Sequence, residues 1–367
     1  MTTSALAPGR RVIVSELGET PLDALEKHIS LVPMDPPDPS ALSPRDVIVA
    51  VKSASVGWVD LIMASGQYQH VPKPPYTPGL EWAGNVVWKG AEVGDAFAIG
   101  DEVMNDPFRA GPRSLGAYQG WGGFASYAVA PFEALLRIPK GLGPDEACNL
   151  LGSYETAYHC LVTRGRLQAG ETVLVLGATG ATGLAAVHVA KLVGATVIAT
   201  SRSASKGELV KAQGADHVVI APDNAFKDDV KKLTGGKGVD VVYDGVGGAV
   251  SLEALRCVRF GARFLIVGWA STPFVAKGKG ERGAPNANQL PTNLIMMKGL
   301  DVLGCPTVIS TVNDPSLRPP RLAAILRWAG EGRLVPVVSA RFGIERFAEA
   351  LRAKWAGDVV GGCVLNP

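Results

Sequence analysis

A glycine-rich turn between an apolar segment and a helical segment carries the strongest chemical signal in this 367-residue chain. The turn, residues 177–183, reads Gly-Ala-Thr-Gly-Ala-Thr-Gly and follows the apolar run from Val173 to Leu176. Apolar residues then recur at helical spacing from Leu184 onward. Such a turn lets a backbone approach a pyrophosphate, and the first amides of the following helix carry partial positive charge. The pattern therefore predicts a dinucleotide site.

Two glycines of this turn have separate predicted roles. Gly180 leaves room for the pyrophosphate, and Gly183 allows the helix to pack closely on its strand. The match to G-x-G-x-x-G is imperfect, because Ala178 occupies the first glycine position and Gly177 precedes it. An ordinary strand, turn and helix with packing glycines is the alternative interpretation.

The residues after the next predicted strand, Thr196 to Thr200, bear on the choice of cofactor. An NAD site favours Asp or Glu there, to accept hydrogen bonds from the adenosine ribose. Here no acidic residue precedes Glu208, and the strand is followed instead by two cations and two hydroxyls. These residues are Ser201, Arg202, Ser203 and Lys206. They favour the 2′-phosphate of NADPH, with solvated surface cations as the alternative.

The composition of the chain limits the classes of partner that the protein is expected to bind. The 36 Lys and Arg residues nearly balance the 34 Asp and Glu residues, which gives no excess charge for nucleic acid or an anionic membrane. No segment reaches the roughly 18 apolar residues of a membrane helix, and the N-terminus lacks a signal-peptide pattern. The five cysteines are scattered, which favours reduced thiols. We therefore expect a cytoplasmic protein with a small-molecule substrate.

The pattern of strands, helices and loops along the sequence predicts two domains. From Glu171 onward, strands alternate with helices, as in a six-stranded doubly wound parallel sheet. Before Pro139, short strands are separated by Pro- and Gly-rich loops, and the C-terminal segment is predicted to complete this β-rich module. We place the first domain at 1–138 with 311–367 and the second at 139–310. A Lys- and Gly-rich loop at 276–288 is predicted to be mobile or to fold over a ligand.

Several motifs in order resemble the medium-chain dehydrogenase/reductase superfamily, most closely its zinc-free quinone oxidoreductase (zeta-crystallin-like) and enone reductase branch. They are Pro-Gly-Leu-Glu-x-Ala-Gly at 78–84, Gly-Asp-Glu-Val at 100–103, Gly-Gly-Phe-Ala-Ser-Tyr at 122–127, Thr-Ala-Tyr at 156–158 and the glycine-rich turn. The resemblance implies an α/β protein with a GroES-like β-rich catalytic domain, a Rossmann domain and a cleft between them. It also implies a homodimer formed through Rossmann edge strands, for which Val302–Ile309 is a candidate.

The resemblance also bears on metal dependence. Zinc-dependent alcohol dehydrogenases carry Gly-His-Glu where this chain has Gly79-Leu80-Glu81. They also carry a tight cysteine cluster, whereas the cysteines here are dispersed. We therefore expect no metal site. Without a Lewis acid, hydride addition to a quinone or a conjugated C=C is favoured over oxidation of a simple alcohol.

The segment from Gly57 to Tyr68 corresponds to the family stretch Asn-x-x-Asp…Ser-Gly-x-Tyr, which lines the nicotinamide cleft. Asp60 and Tyr68 match, and Gly57 replaces the asparagine. By resemblance to enoyl reductases, Tyr68 is predicted to be the proton donor. A loop aromatic packed on the core is the alternative for Tyr68, and a structural cap is the alternative for Asp60.

Further cofactor contacts follow from family position and from loops at the carboxyl ends of strands. Thr156 is predicted to bond the nicotinamide carboxamide, and Trp269 to wall the nicotinamide pocket. The full predicted cofactor set is Thr156, Thr179, Gly180, Ala181, Thr182, Gly183, Ser201, Arg202, Ser203, Lys206, Gly245, Val246, Gly268 and Trp269.

Together these features predict an NADPH-dependent reductase of quinones or enones that works without zinc. An enoyl-thioester reductase on the same fold is the nearest alternative, since basic residues near 276–282 suit an anionic carrier. A protein that binds NADPH as a redox sensor or structural component, with little turnover, is the alternative from another class.

Overall fold

The computed structural model describes residues 6–114, 116–271 and 287–367, and these residues form two compact units. The first unit comprises residues 6–151 and 338–367, and the second comprises 152–271 and 287–337. Most of the predicted loop at 276–288 lies outside the described residues.

The N-terminal part of the first unit is rich in short strands. Its strands are β1 Gly9–Val14, β2 Ile29–Met34, β3 Asp46–Ser55, β4 Trp82–Lys89, β5 Glu102–Asn105, β6 Tyr127–Pro131 and β7 Leu135–Arg137. Its helices are α1 Pro21–Lys27, α2 Trp58–Ala64 and α3 Pro144–Ala147. Strands β1 and β2 pair as an antiparallel hairpin, and β3 pairs with both β4 and β6. Because β3 is buried along most of its length, it forms the centre of this unit's core.

The second unit contains the predicted parallel sheet. Its strands are β8 Thr172–Leu176, β9 Thr196–Ser201, β10 His217–Ile220, β11 Val239–Asp244, β12 Val258–Ile266 and β13 Asp301–Gly304. Its helices are α4 Leu151–Tyr158, α5 Ala181–Val193, α6 Ala204–Ala212, α7 Lys227–Leu233, α8 Ala249–Ala254, α9 Thr292–Lys298, α10 Thr307–Asn313 and α11 Arg318–Gly330. All neighbouring strands pair in parallel, in the order β10-β9-β8-β11-β12-β13. The strand order reverses between β8 and β11, where doubly wound sheets bind ligands.

The C-terminal segment returns to the first unit through β14 Val338–Gly343, α12 Phe347–Ala356 and β15 Gly362–Asn366. The resulting sheet has the order β14-β15-β3-β4-β5-β7, and β6 pairs with β3 outside this order. This confirms the predicted fold class, a GroES-like β-rich domain plus a Rossmann-type parallel sheet.

The division between the units differs from the predicted boundaries at 138 and 311. Residues 139–151 belong to the first unit, and residues 311–337 belong to the second. The physical reason is a buried ion network on α11. Arg318 and Arg321 both pair with Glu155 of α4, at 2.9 and 2.8 Å.

The predicted dimerisation strand Val302–Ile309 is not a single strand. Strand β13 ends at Gly304, and α10 begins at Thr307 after Pro306. Strand β13 does occupy an edge of the parallel sheet, so dimerisation through this edge stays a prediction. Within the described ranges, no helix has the length and apolar character needed to cross a bilayer.

Candidate functional site

The turn between β8 and α5 is shaped by two glycines that the protein itself requires. Gly177 has a φ of +66°, in the left-handed region that favours glycine. A Cβ atom on Gly183 would lie 2.2 Å from the carbonyl oxygen of Gly177, so no side chain fits there. Gly177 therefore supplies the tight turn that the first glycine of the fingerprint normally provides. The match is imperfect at Ala178 because the turn glycine, Gly177, stands one position earlier in the chain than the first glycine of the fingerprint.

Gly180 is different, because nothing in the protein requires a glycine there. Its φ is −74°, and an added Cβ would meet no atom closer than the Gly177 oxygen at 3.5 Å. Gly180 is the N-cap of α5, and among the described residues no side chain caps this helix end. Thr179, Ala181 and Thr182 beside it are half-buried. The first amides of a thirteen-residue helix are thus open to an anion such as a pyrophosphate.

The end of β9 carries the residues predicted to bind the 2′-phosphate. Arg202 is exposed and has no ion-pair partner within the described part of the chain. Ser203 is the N-cap of α6, and its hydroxyl lies 2.9 Å from that of Ser205. Lys206 is half-buried in the first turn of α6. The structure thus groups Arg202, Ser203 and Lys206 on one turn.

Ser201 departs from its predicted role as a phosphate donor. Its hydroxyl donates to the carbonyl oxygen of Ser203 at 2.8 Å and accepts from the Ser203 amide at 3.3 Å. A hydroxyl has one hydrogen to donate. In this geometry Ser201 therefore holds the turn that presents Arg202.

The loop after β11 is held by an aspartate that the motifs did not indicate. Asp244, fully buried, accepts from the amides of Val246 and Gly247, each at 2.9 Å, and from the hydroxyl of Ser251. Burial raises the pKa of this carboxyl, while these hydrogen bonds favour its charged form. An aspartate that ends an apolar strand before a glycine-rich loop is the signal that would have indicated this role.

Backbone hydrogen bonds hold the two loops side by side. The Gly268 amide donates to the oxygen of Asp244, and the Ala270 amide donates to that of Gly245. A Cβ on Gly247, where φ is +79°, would lie 3.0 Å from the Cα of Trp269. Trp269, which follows β12, is 47% exposed. The predicted residues Gly245, Val246, Gly268 and Trp269 therefore lie together at the carboxyl ends of β11 and β12.

Thr156 lies on α4, next to the buried Glu155. Its hydroxyl donates to the carbonyl oxygen of Gly152 at 2.8 Å, one turn earlier in the helix. The hydrogen is thereby used within the helix, and the oxygen lone pairs stay available. Thr156 can therefore accept a hydrogen bond from a carboxamide NH₂ group, and this fixes the direction of the predicted contact.

Asp60, in the first unit, acts as a structural cap. Its Oδ2 accepts from the amide of Gly57 at 2.8 Å and its Oδ1 from the amide of Gly79 at 2.9 Å. The side chain is buried, which raises its pKa to about 6 against the lowering effect of the amide hydrogen bonds. Both oxygens thus close the start of α2 and hold the loop at Gly79. Of the two interpretations of Asp60, the structure supports the cap over the catalytic role.

Tyr68 follows α2 in a turn and is half-buried, with its ring packed against the core of the first unit. Within the described residues, its hydroxyl has no hydrogen-bond partner. Its ring centroid lies 6.2 Å from that of His70. Both predicted features are therefore present, a packed ring and an available phenol.

The position that carries a histidine ligand in zinc-dependent relatives has no ligating atom in the first unit. Leu80, at the histidine position of zinc-dependent relatives, is buried and has no ligating atom. The Cys148 thiol is buried at 3.4 Å from the Ser53 hydroxyl, and burial raises its pKa far above the usual range. In the described ranges, no three His, Cys, Asp or Glu side chains are grouped as metal ligands.

Comparisons with known proteins agree with this architecture. A family described as "alcohol dehydrogenase GroES-like domain" matches residues 43–140, and one described as "zinc-binding dehydrogenase" matches residues 181–314. A "quinone oxidoreductase-like protein 2 homolog" from Nematostella vectensis is 34% identical over 97% of this chain and 88% of its own length. The chain belongs to the medium-chain dehydrogenase/reductase superfamily. Within it, the chain belongs to the quinone oxidoreductase branch that the motifs indicated.

Two further similarities support this assignment. A quinone oxidoreductase from Homo sapiens is 29% identical over 84% of this chain and 85% of its own length. The structure of a probable oxidoreductase from Mycobacterium abscessus has a TM-score of 0.78 at 29% identity, covering 98% of this chain and 99% of that one. This protein is thus an oxidoreductase of a family that uses nicotinamide cofactors.

Proposed function

We propose that this protein transfers hydride from NADPH to a quinone or an α,β-unsaturated carbonyl compound and needs no zinc. The observation that carries the proposal is Leu80, which puts an alkyl group where a metal-dependent relative needs a ligand. Without a metal to hold an alkoxide, the reaction favours acceptors whose negative charge spreads onto a conjugated oxygen.

The second unit supplies the cofactor contacts in this proposal. The open N-terminus of α5 receives the pyrophosphate, and Arg202 with Lys206 receives the 2′-phosphate. Thr156 accepts from the carboxamide, and the paired loops at Gly245 and Gly268 support the nicotinamide end. NADPH, when bound, supplies the hydride.

The first unit supplies the proton in this proposal. The phenol of Tyr68 is the donor, because its ring is fixed by packing while its hydroxyl is available. It donates to the oxygen or carbon of the reduced acceptor as negative charge develops there. Asp60 positions this region by capping α2 and does not touch the substrate.

Replacing Tyr68 with phenylalanine is expected to lower kcat for an enone by up to about a hundredfold, the low end of the range for a positioned acid. A quinone should lose less, because water can reach and protonate its oxygen. Steady-state assays with both acceptors on one variant give the ratio. Equal losses, or no loss with either acceptor, would assign Tyr68 to packing alone.

Removal of metal is expected to leave activity unchanged. Protein dialysed against EDTA should oxidise NADPH with quinones and small enones at its original rate, and elemental analysis should find far less than stoichiometric zinc. A bound zinc whose removal abolishes turnover would refute the mechanism. The same assay tests the function itself, because an NADPH-binding sensor would show no turnover on any acceptor.

A further inference from the structure

A cation without a carboxylate partner among the described residues lies in the first unit. Arg113 belongs to a single 3-10 turn, Pro112–Ser114, and its guanidinium carbon lies 5.1 Å from the ring centroid of Phe108. The side chain is half-buried, and its Nε is buried without a hydrogen-bond partner in the described residues. No carboxylate within those residues forms an ion pair with it. Leaving this buried N–H group without a hydrogen bond costs free energy.

His70 presents a second unpaired polar group to the same region. Its Nδ1 is buried and lacks a hydrogen-bond partner among the described residues. Burial lowers the pKa of this imidazole, and the nearby charge of Arg113 lowers it further. The ring is therefore neutral at pH 7, and its nitrogens can donate or accept one hydrogen bond each. The ring centroid of Tyr68 lies 6.2 Å from that of His70.

Asp60 is a carboxylate whose pKa is affected by the Arg113 charge, but it does not form an ion pair with Arg113. The Arg113 charge lowers the pKa of Asp60 only as the weakest of several causes. Both oxygens of Asp60 are already engaged by the amides of Gly57 and Gly79. The charge of Arg113 therefore acts on His70 without a carboxylate paired to it among the described residues.

We propose that Arg113, together with His70, binds a negatively charged group on the acceptor molecule, so that the protein selects conjugated carbonyl compounds bearing a carboxylate. This inference rests on the proposed function and adds the chemical class of its substrate. A guanidinium suits this role, because its planar fork matches a carboxylate with two parallel hydrogen bonds. Because the charge of Arg113 acts on His70, and the His70 ring lies 6.2 Å from the Tyr68 ring, we expect the anion to bind toward the end of the acceptor that is protonated.

The test compares one enone as its free carboxylic acid and as its methyl ester. For the natural protein, kcat/KM should be higher for the acid. Arg113→Gln should lower kcat/KM for the acid by about ten- to a hundredfold, the range for loss of one charge-assisted hydrogen bond, and change the ester about threefold at most. Arg113→Lys should restore part of the loss, because it keeps the charge without the fork.

Arg109 provides the matched control. It lies four residues earlier, it is exposed, and it pairs with Asp106 at 3.8 Å. Arg109→Gln should leave the ratio of acid to ester unchanged. An equal fall of acid and ester in Arg113→Gln, or no preference for the acid in the natural protein, would overturn the inference.

A second measurement separates this inference from the proposed function. Calorimetry with the saturated carboxylate and its ester measures binding without turnover. If no acceptor is reduced, the proposed function fails, yet preference for the carboxylate that disappears in Arg113→Gln still supports the anion site. Equal binding of both compounds by the natural protein overturns it.

A further comparison tests whether the bound anion is a phosphate. It uses an enoyl-CoA thioester, which carries phosphates, and the matching pantetheine thioester, which carries none. A larger effect of Arg113→Gln on that pair than on the acid and ester would assign the anion site to a phosphate and refute the carboxylate.

Discussion

Replacing Glu155 with glutamine is expected to lower the free energy of unfolding by about 3–5 kcal/mol, the usual cost of removing one partner from a buried ion pair. Glu155 is buried and binds Arg318 through Oε1 and Arg321 through Oε2. Arg321 is fully buried and also donates to the Thr311 hydroxyl. Without the carboxylate, its charge is left in the core of the second unit with only neutral partners in the described chain.

Chemical denaturation of the full chain measures this effect, followed by probes of both units because two compact units need not unfold together. Glu349→Gln is the control. Glu349 pairs with Arg346 on the surface at 2.6 Å, and such pairs contribute about 0–1 kcal/mol. If the Glu155→Gln protein unfolds at the same denaturant concentration as the natural protein, the network contributes specificity of packing and little stability.

The same network explains why residues 311–337 are grouped with the second unit, whereas the sequence predicted them in the first domain. Helix α11 begins Arg-Pro-Pro-Arg and contains three arginines among its thirteen residues, a composition typical of a solvated helix face. The partner that buries Arg321 lies more than 150 residues earlier in the chain, and no local pattern reveals it. The parallel strands were predictable for the opposite reason. Strands buried on both faces read as continuous apolar runs, as from Val173 to Leu176.

The candidate site also contains some residues whose roles the sequence predicts and others whose roles it does not. The turn at Gly177–Gly183 was readable because backbone geometry excludes other residues, as the 2.2 Å approach at Gly183 shows. The roles of Asp60 and Ser201 depend on hydrogen-bond direction, which a sequence does not specify. Arg113 lies in a Pro- and Gly-rich loop without periodicity. Its unpaired state emerges only when the surrounding carboxylates are located.

Replacing Arg202 with alanine is expected to raise KM for NADPH by about ten- to a hundredfold, because one charge-assisted phosphate contact contributes about 1.5–3 kcal/mol. KM for NADH should stay nearly unchanged, since NADH lacks the 2′-phosphate. Arg202 is exposed and has no carboxylate partner in the described chain, so its loss should not disturb folding. Steady-state kinetics with each cofactor at a fixed acceptor concentration measure the ratio.

The control is Arg327→Ala, which removes another exposed arginine, one that pairs with Glu331 at 4.0 Å at the end of α11. It should leave both KM values unaltered. Because phosphate contacts are screened by salt, the NADPH preference of the natural protein should also shrink as ionic strength rises, and it should do so less in Arg202→Ala. If the natural protein uses low concentrations of NADH and NADPH equally well, Arg202 is a solvated surface cation. The prediction that this protein prefers NADPH would then be wrong.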